Sequence, residues 1–391
     1  MKIITGIRRC GKSQLMEQFF SYLKKKYPSN ANIIFINFDN HDNKELTDKL
    51  ELKKYIDKQL STKKKTFLLL DEIQNVAGFE ELILHYFQNK NIDIYLTGSN
   101  SHMLSKQIAT RFTERDLQIK VWPFSFAEVL QLTKEKDVKI AFNDFINYGG
   151  MPGLISLKDN QVIFQSNASS IVNSILTRDL IPFFNITNTR LIEKLLSYVF
   201  SNIGNSFSAL NVKNYFISNN IYKTIAVQTI EKYLQYLADG FLLLKCLRYD
   251  IKGKEKLKTL YKLYTTDQGI KNSLIQQKIN TGIGDNIENI VYVELLRRGY
   301  VVNYGTFQYK DGVKKTTVIK EIDFVCQKQN ETLYIQVAND ISNDSALNRE
   351  LEPFKNIRDG RKILINNSEI NTMIDGVEIK EIKKWLLSKI I

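Results

Sequence analysis

The sequence predicts an α/β protein with a mostly parallel sheet first, then three helices and a hairpin, and then a second, smaller α/β unit. Three observations predict this order. Short apolar segments alternate with amphipathic segments up to residue 121, helical periodicity dominates after about residue 186, and strands alternate with helices again from Gly282. We therefore divide the chain into a domain over residues 1–150, a helical linker over 151–190, and domains over 191–281 and 282–391.

The composition is that of a folded globular protein. The 391 residues are 43% hydrophobic and 25% charged, which excludes disorder as the main state. Because the apolar runs are far shorter than the roughly 20 residues of a spanning helix, and no secretory signal precedes the first strand, we expect a cytoplasmic protein without a membrane segment. The three scattered cysteines cannot build a disulfide framework or a structural zinc site, so we expect reduced thiols.

The net charge of +13 is concentrated in the middle of the chain. The net charge is +5 in residues 1–150, +8 in residues 151–280 and 0 in residues 281–391, counting lysine and arginine against aspartate and glutamate. Such an excess attracts polyanions, DNA among them. A lysine-rich composition spread over solvated faces is the alternative explanation.

The first domain is predicted to contain five strands and three helices. The strands are predicted at residues 3–5, 33–38, 67–70, 92–96 and 117–121, and the helices at 13–27, 46–60 and 79–87. Several of these strands are apolar on both faces, which is typical of parallel strands covered by helices on both sides.

A glycine-rich motif connects the first strand to the first helix. It is Gly6-Ile7-Arg8-Arg9-Cys10-Gly11-Lys12-Ser13, which matches G-x-x-x-x-G-K-[ST] at every fixed position. The glycines let backbone N–H groups turn toward a phosphate, and the helix N-terminus adds a favourable dipole. The motif predicts an ATP site in which Lys12 binds the β- and γ-phosphates and Ser13 binds Mg²⁺.

A second motif ends the third predicted strand, where Asp71 and Glu72 follow an apolar run. Asp71 is placed to hold Mg²⁺ with Ser13, and Glu72 to orient or deprotonate the attacking water. A simple strand-end turn is the alternative for two acids considered alone. Their combination with Lys12 favours the catalytic interpretation.

Two more elements offer groups for the γ-phosphate. After Leu96 come polar residues, of which Asn100 is the first choice for sensing the phosphate and Ser99 the second; a loop-capping role is the alternative for Asn100. Arg111 and Arg115 precede the fifth strand, and either could stabilise transition-state charge, within the chain or from a neighbouring subunit of a homo-oligomer. Surface ion pairing is the alternative for both arginines.

Several segments resemble those of the AAA-type ATPases that are abundant in archaea and bacteria, which carry a C-terminal domain of unknown function with a winged helix and a restriction-nuclease-like part. They are residues 6–13, LDEIQ at 70–74, LTGSN at 96–100, WPFSFAE at 122–128, YGGMP at 148–152, YTTDQGI at 264–270 and EIDF at 321–324. The resemblance implies ATP binding and a five-stranded core with the Asp71 strand inside the sheet. Two departures are the lack of an N-terminal segment before the first strand, and Glu114-Arg115 where similar proteins have Gly-Arg.

Residues 191–264 follow the winged-helix plan, with helices predicted at 191–203, 208–218 and 226–238 and strands at 241–249 and 259–264. In this fold the third helix enters the DNA major groove and the hairpin contacts phosphates. The side chains predicted to face outward are Gln228, Thr229, Lys232 and Gln235 on the third helix and Lys252, Lys254, Lys256 and Lys258 in the hairpin. DNA is therefore the predicted partner, and use of the fold as a protein-protein adaptor is the alternative.

The last domain resembles a PD-(D/E)xK nuclease core. Its helices are predicted at 286–298 and 347–354, and its strands at 300–304, 321–327, 332–337 and 362–365. Glu288 and Asp323 match two acidic positions, but Gln336 and Ala338 stand where the second carboxylate and the lysine are needed. We therefore expect a nuclease-like fold without nuclease activity, in which Lys320 is the nearest lysine along the chain that could serve instead.

These predictions combine into one main hypothesis and one alternative. The main hypothesis is an Mg²⁺-dependent ATPase, with Lys12, Glu72, Asn100 and Arg115 as catalytic residues, whose nucleotide state is coupled to DNA binding through the winged helix. The alternative is a nucleotide-gated protein-interaction module with little or no turnover and no DNA binding.

Overall fold

The structure, a computed structural model, describes residues 1–61, 64–98, 117–253, 255–310 and 317–388, with the backbone alone at 256–259, 309–310 and 317–318. The chain forms two compact units. The first comprises Met1–Pro123, Thr177–Asp179 and Asp239–Phe241, and the second comprises Phe124–Leu176, Leu180–Ala238 and Leu242–Ile391. Residues 124–150 thus pack in the second unit, although the predicted first domain included them. Within the described ranges, no helix has the length and apolar character needed to cross a membrane.

The first unit is built on a five-stranded parallel sheet. Its strands are β1 (Lys2–Thr5), β2 (Ala31–Asn37), β3 (Lys65–Asp71), β4 (Ile92–Gly98) and β5 (Leu117–Lys120). They lie in the order β2-β3-β4-β1-β5, and every neighbouring pair is parallel. The predicted parallel sheet is confirmed, with the Asp71 strand inside it between β2 and β4.

Helices cover both faces of this sheet: α1 (Lys12–Lys26), α2 (Lys49–Gln59) and α3 (Phe79–Phe87). Phe67 and Leu69 of β3 pack with Met16 of α1 on one face. Leu68 and Leu70 pack on the other face, in the cluster to which α2 and α3 contribute. Because β3 is buried on both faces, its sequence is a continuous apolar run rather than an alternating one.

The second helix begins later than the sequence predicts. A 3₁₀ turn covers His41–Thr47, and α2 starts only at Lys49. Asp48 sets this start because its side chain accepts the N–H groups of Leu50 and Glu51.

The second unit opens with a largely helical region. Its helices are α4 (Phe126–Thr133), α5 (Val138–Tyr148), α6 (Gln161–Ser174), α7 (Ile181–Phe184), α8 (Thr189–Phe200), α9 (Ala209–Ser218) and α10 (Val227–Asp239). A π-helical turn, Ile175–Leu180, joins α6 to α7. The helices predicted over 191–238 are therefore present.

A nine-stranded sheet forms the rest of the second unit. Its strands are β6 (Ser206–Phe207), β7 (Leu243–Asp250), β8 (Glu255–Thr265), β9 (Val301–Lys310), β10 (Thr317–Lys328), β11 (Glu331–Ala338), β12 (Arg361–Asn366), β13 (Thr372–Ile374) and β14 (Val377–Glu381). They lie in the order β13-β14-β12-β11-β10-β9-β7-β8-β6. The hairpin strand β7 pairs in parallel with β9, so the hairpin and the carboxyl-terminal strands share one sheet.

Four helices accompany this sheet along the chain, counted over the described residues: α11 (Gln268–Leu274), α12 (Ile283–Arg297), α13 (Asp344–Leu351) and α14 (Ile382–Leu387). The two strands after α12 are longer than predicted. They continue to Lys310 and begin at Thr317, beyond the predicted limits of 304 and 321.

Asp267 explains why residues 124–150 belong to the second unit. Its buried carboxylate accepts the N–H of Gly150 at 2.7 Å and that of Ile270, in the first turn of α11, at 3.0 Å. A Cβ at Gly150 would lie 2.0 Å from the carbonyl oxygen of Phe124, so only glycine fits this junction. Burial raises the pKa of Asp267 to about 6, while the N–H donors act in the opposite direction.

Candidate functional site

The loop between β1 and α1 requires its two glycines. Gly11, the N-cap of α1, has a φ of 103°, a conformation that favours glycine. A Cβ at Gly6 would lie 2.2 Å from the carbonyl oxygen of Val121. The N–H of Cys10 bonds the carbonyl of Ile7 at 3.2 Å and closes the turn. The loop therefore ends at a helix N-terminus, where N–H groups without intrahelical partners can bind an anion.

Lys12 begins α1, and its side chain folds back over this loop. Its Nζ donates to the carbonyl oxygens of Gly6 at 3.1 Å and Ile7 at 3.2 Å, and the residue is only 3% exposed. The ammonium group is thus held against the loop backbone. This position suits a charge that neutralises a phosphate bound there.

The carboxyl ends of β3 and β4 bring three polar groups together. The hydroxyl of Thr97 donates to Oδ1 of Asp71 and accepts the backbone N–H of Glu72 at 2.9 Å. All three residues are buried. Because β1 belongs to the same parallel sheet, this edge is also the one at which the loop over residues 6–11 begins.

Thr97 is a site residue that the sequence prediction did not name. It lies within the LTGSN segment, in which Asn100 was the first choice. The register pairs Leu70 with Leu96, so the next residues, Asp71 and Thr97, are neighbours. A polar residue at the end of a buried strand is the signal that could have indicated it.

The carboxylate of Asp71 fits a divalent cation. Burial raises the pKa of Asp71, and the nearby hydroxyls of Thr97 and Ser13 oppose this rise. Its Oδ2 is buried and has no hydrogen-bond partner among the residues described. A carboxylate oxygen of this kind, beside a serine hydroxyl, is the oxygen-rich environment that Mg²⁺ prefers.

The two arginines of the loop, Arg8 and Arg9, differ in the contacts of their side chains. Nη1 of Arg8 lies 2.9 Å from Oδ1 of Asp179, and its Nη2 lies 3.5 Å from Oδ2 of Asp39. Arg9 is exposed and has a φ of 65°. The side chain of Arg8 therefore fixes the loop through its two carboxylate partners. The backbone N–H groups of the loop, and not this side chain, are then the groups that can face a phosphate.

Four of the predicted site residues lie outside the described residues: Ser99, Asn100, Arg111 and Arg115. Their roles at the γ-phosphate stay predictions.

Helix α10 presents a polar face. Its apolar side packs inward, with Ile230, Leu234 and Leu237 buried. On the other side Gln228, Lys232 and Gln235 are exposed, and Thr229 is half-buried.

The hairpin lysines are described in part. Lys252 is exposed and its Nζ donates to the carbonyl of Gln308. Lys254 lies outside the described residues, and Lys256 and Lys258 are described by their backbone alone.

A lysine from the hairpin joins the acidic residues of the last domain. Nζ of Lys262, on β8, lies 3.2 Å from Oε1 of Glu288 and 2.7 Å from Oε1 of Glu321. The hydroxyl of Tyr264 donates to the same Glu288 oxygen at 2.5 Å. Lys262 itself is only 4% exposed. Glu288 and Glu321, which we call the acidic group together with Asp323, thus surround a buried lysine that the sequence prediction did not identify.

Asp323 lies beside this ion pair. Its Oδ2 accepts the N–H of Val337 at 2.8 Å, and its own N–H donates to Oε1 of Gln336 at 3.3 Å. Burial, followed by the charge of Glu288, raises the pKa of Asp323 well above its usual range. Burial lowers the pKa of Lys262, but the surrounding carboxylates more than offset this, and its pKa is raised.

Lys320 does not take the place suggested by its position in the sequence. Its Nζ lies 2.6 Å from Oε2 of Glu352. In the described part of the chain Lys262 contacts Glu288 and Glu321 instead, because β7 and β8 join the carboxyl-terminal sheet.

Comparison with known proteins places these features in a family. A model described as AAA domain matches residues 1–130, and one described as a domain of unknown function (DUF8612) matches residues 139–281. An uncharacterized protein of Haemophilus influenzae is 32% identical over 394 residues, covering 99% of this chain and 94% of that protein. An uncharacterized protein of Methanocaldococcus jannaschii is 30% identical over 391 residues, covering 97% of this chain and 83% of its own.

Among solved structures, a Walker-type ATPase of Pyrococcus abyssi aligns with 70% of this chain and 90% of its own, at 15% identity and a TM-score of 0.47.

The parallel sheet, the glycine loop and the AAA match define the class of the amino-terminal domain, which is an AAA-type P-loop domain over residues 1–130. Within that class, the chain belongs over nearly its full length to the family of the Haemophilus and Methanocaldococcus proteins.

Proposed function

We propose that this protein is an Mg²⁺-dependent ATPase whose nucleotide state is coupled to DNA binding by its second unit. One observation carries the ATPase part of the proposal. Lys12 comes from one sequence motif and Asp71 and Glu72 from another, and both motifs lie at the carboxyl edge of one parallel sheet. This is the edge at which open α/β sheets bind their ligands.

Each residue has a task in this proposal. The loop N–H groups and Lys12 bind the β- and γ-phosphates, and Glu72 orients the attacking water and accepts its proton. Ser13 and Asp71 hold Mg²⁺, which supplies positive charge to the phosphate oxygens. Asn100 and Arg115 are proposed to contact the γ-phosphate and to stabilise the transition state.

The proposal for DNA rests on the helices and hairpin of the second unit. Their order, α8, β6, α9, α10, β7 and β8, supports a winged helix. The exposed Gln228 and Lys232 of α10 offer groups for base edges and phosphates. The excess of 8 positive charges in residues 151–280 favours a polyanion as the partner.

For the last domain we propose a nuclease-like unit without nuclease activity. The ammonium of Lys262 is paired with two carboxylates, and Gln336 brings no negative charge to the group. These residues therefore favour an internal ion-pair cluster over a catalytic Mg²⁺ site.

Two substitutions test the ATPase. Lys12→Ala should abolish ATP binding, whereas Glu72→Gln should retain it and lower turnover by at least about 100-fold, because Glu72 acts on the water. Steady-state hydrolysis and binding of a fluorescent ATP analogue separate the two effects. The exposed Lys25 and Glu17 of α1 provide matched controls, Lys25→Ala and Glu17→Gln. Normal turnover by Glu72→Gln would contradict the assignment.

Salt dependence tests DNA binding. Affinity for a duplex, measured by fluorescence anisotropy from 50 to 300 mM salt with ATP or ADP present, should fall steeply with salt. Lys232→Ala should weaken binding and reduce the salt slope by about one, whereas Lys194→Ala, on an exposed position of α8, should not. Absence of duplex binding even at low salt would favour the protein-interaction module.

A further inference from the structure

Gln74 contacts Glu72 at the end of β3. Residues Ile73–Asn75 form a single 3₁₀ turn, and Glu72 precedes it with a φ of 55°. The turn brings the side chain of Gln74 back over Glu72, and its Nε2 donates to Oε2 of the carboxylate.

Glu72 is restrained at both its backbone and its side chain. Its N–H bonds Oγ1 of Thr97 at 2.9 Å, and the residue is 6% exposed. Gln74 donates a hydrogen bond to Oε2 of the Glu72 carboxylate. Among the described residues, no other group donates to this carboxylate, and its Oε1 accepts no hydrogen bond. Gln74 thus engages one carboxylate oxygen and leaves the other able to accept a proton from water.

Glu72 follows β3 directly, at the edge of the parallel sheet where the phosphate-binding loop also begins after β1. Burial is the main cause of the raised pKa of the Cys10 thiol, and the negative charge of Glu72 adds to it. Cys10 is part of the loop, so Glu72 is close enough to act on it electrostatically. Gln74 therefore restrains the carboxylate at the same sheet edge as the proposed phosphate site.

Within the described structure, the side chain of Gln74 forms its hydrogen bond with Glu72. Its Oε1 is buried and has no partner there. The hydrogen bond to Glu72 is therefore the polar contact that a substitution of the Gln74 side chain removes.

We propose that Gln74 is a positioning residue, which holds the carboxylate of Glu72 in the orientation needed to act on the attacking water. This inference rests on the proposed ATPase function. A single hydrogen bond to a carboxylate can have a large effect on turnover because a misplacement of about 1 Å costs up to about 100-fold.

Gln74→Met tests the inference, since methionine keeps the length of the side chain and removes the donor. We expect kcat to fall at least about tenfold, while KM, the affinity for a fluorescent ATP analogue and the melting temperature stay within error. Gln88→Met, at an exposed position beyond α3, is the matched control. A purely structural role of Gln74 would lower the melting temperature and the nucleotide affinity together with kcat, and would overturn the inference.

A double mutant provides a second criterion. Because Gln74 acts through Glu72, Gln74→Met should have no further effect on the residual turnover of Glu72→Gln. Independent, multiplicative losses would overturn the inference and leave the ATPase proposal intact, as would unchanged kcat in Gln74→Met. A wild-type protein that hydrolyses no ATP would overturn both.

Discussion

At the residue scale, the candidate nucleotide site depends on polar side chains that a phosphate motif does not include. Thr97 links Asp71 to the backbone of Glu72, so one buried hydroxyl orients the proposed metal ligand and the proposed catalytic base. A buried polar group that loses such a partner carries its full desolvation cost.

Thr97→Val keeps the shape of the side chain and removes the hydroxyl. We expect the free energy of unfolding to fall by about 1–3 kcal/mol, because the N–H of Glu72 loses its acceptor inside the fold. Mg²⁺-dependent ATP turnover should fall as well, and Thr97→Ser should restore most of both. Urea unfolding and steady-state hydrolysis measure the two effects. Wild-type stability in Thr97→Val would show that the hydroxyl is dispensable.

The sequence predicts the residues of this site unevenly, for a physical reason. Lys12 and Ser13 are fixed by local spacing in one loop, so the motif alone identifies them. Thr97 and Gln74 act through contacts with β3, and a threonine or glutamine is common in many other settings. Such residues become identifiable only when the strand register and the turn after β3 are known.

At the element scale, the strands of the first unit follow directly from apolar patterning, whereas the pairing of β7 with β9 does not. The sequence of each hairpin strand indicates a strand. It contains no local signal, however, for a parallel partner strand more than 50 residues away along the chain. This pairing brings Lys262 of β8 to Glu288 of α12 and Glu321 of β10. The lysine therefore connects three elements that the sequence assigned to two domains.

Lys262→Met should destabilise the protein by about 3 kcal/mol or more at neutral pH. Its removal leaves the half-buried carboxylates of Glu288 and Asp323 without the buried cation beside them. Breaking a buried ion pair in this way costs several kcal/mol. Calorimetry or urea unfolding measures the loss. Glu288→Gln, added to Lys262→Met, should recover part of it, and Lys194→Met at an exposed site should change little. A Lys262→Met protein as stable as the wild type would contradict a structural role for the ion pair.

At the scale of the whole molecule, the AAA domain accounts for about the first third of the chain, while the family relatives match almost all of it. Of the net charge of +13, +8 lies beyond the nucleotide site, in residues 151–280. A polyanionic partner for the second unit would thus explain a feature that ATP binding alone does not. The same unit contains the acidic group around Lys262, and its chemistry can be tested separately.

The last domain should not cut DNA. Hydrolysis of a phosphodiester needs carboxylates that bind Mg²⁺ and a cation that stabilises the developing charge. Here the ammonium of Lys262 is paired with Glu288 and Glu321, Gln336 offers the metal no charge, and position 338 is an alanine. Purified protein incubated with supercoiled plasmid, ATP and Mg²⁺ or Mn²⁺ should therefore leave the plasmid intact. Cleavage that disappears in Asp323→Ala would contradict this expectation. Among the described residues, Lys262 would then be the lysine positioned to serve the reaction, because it contacts Glu288 and Glu321.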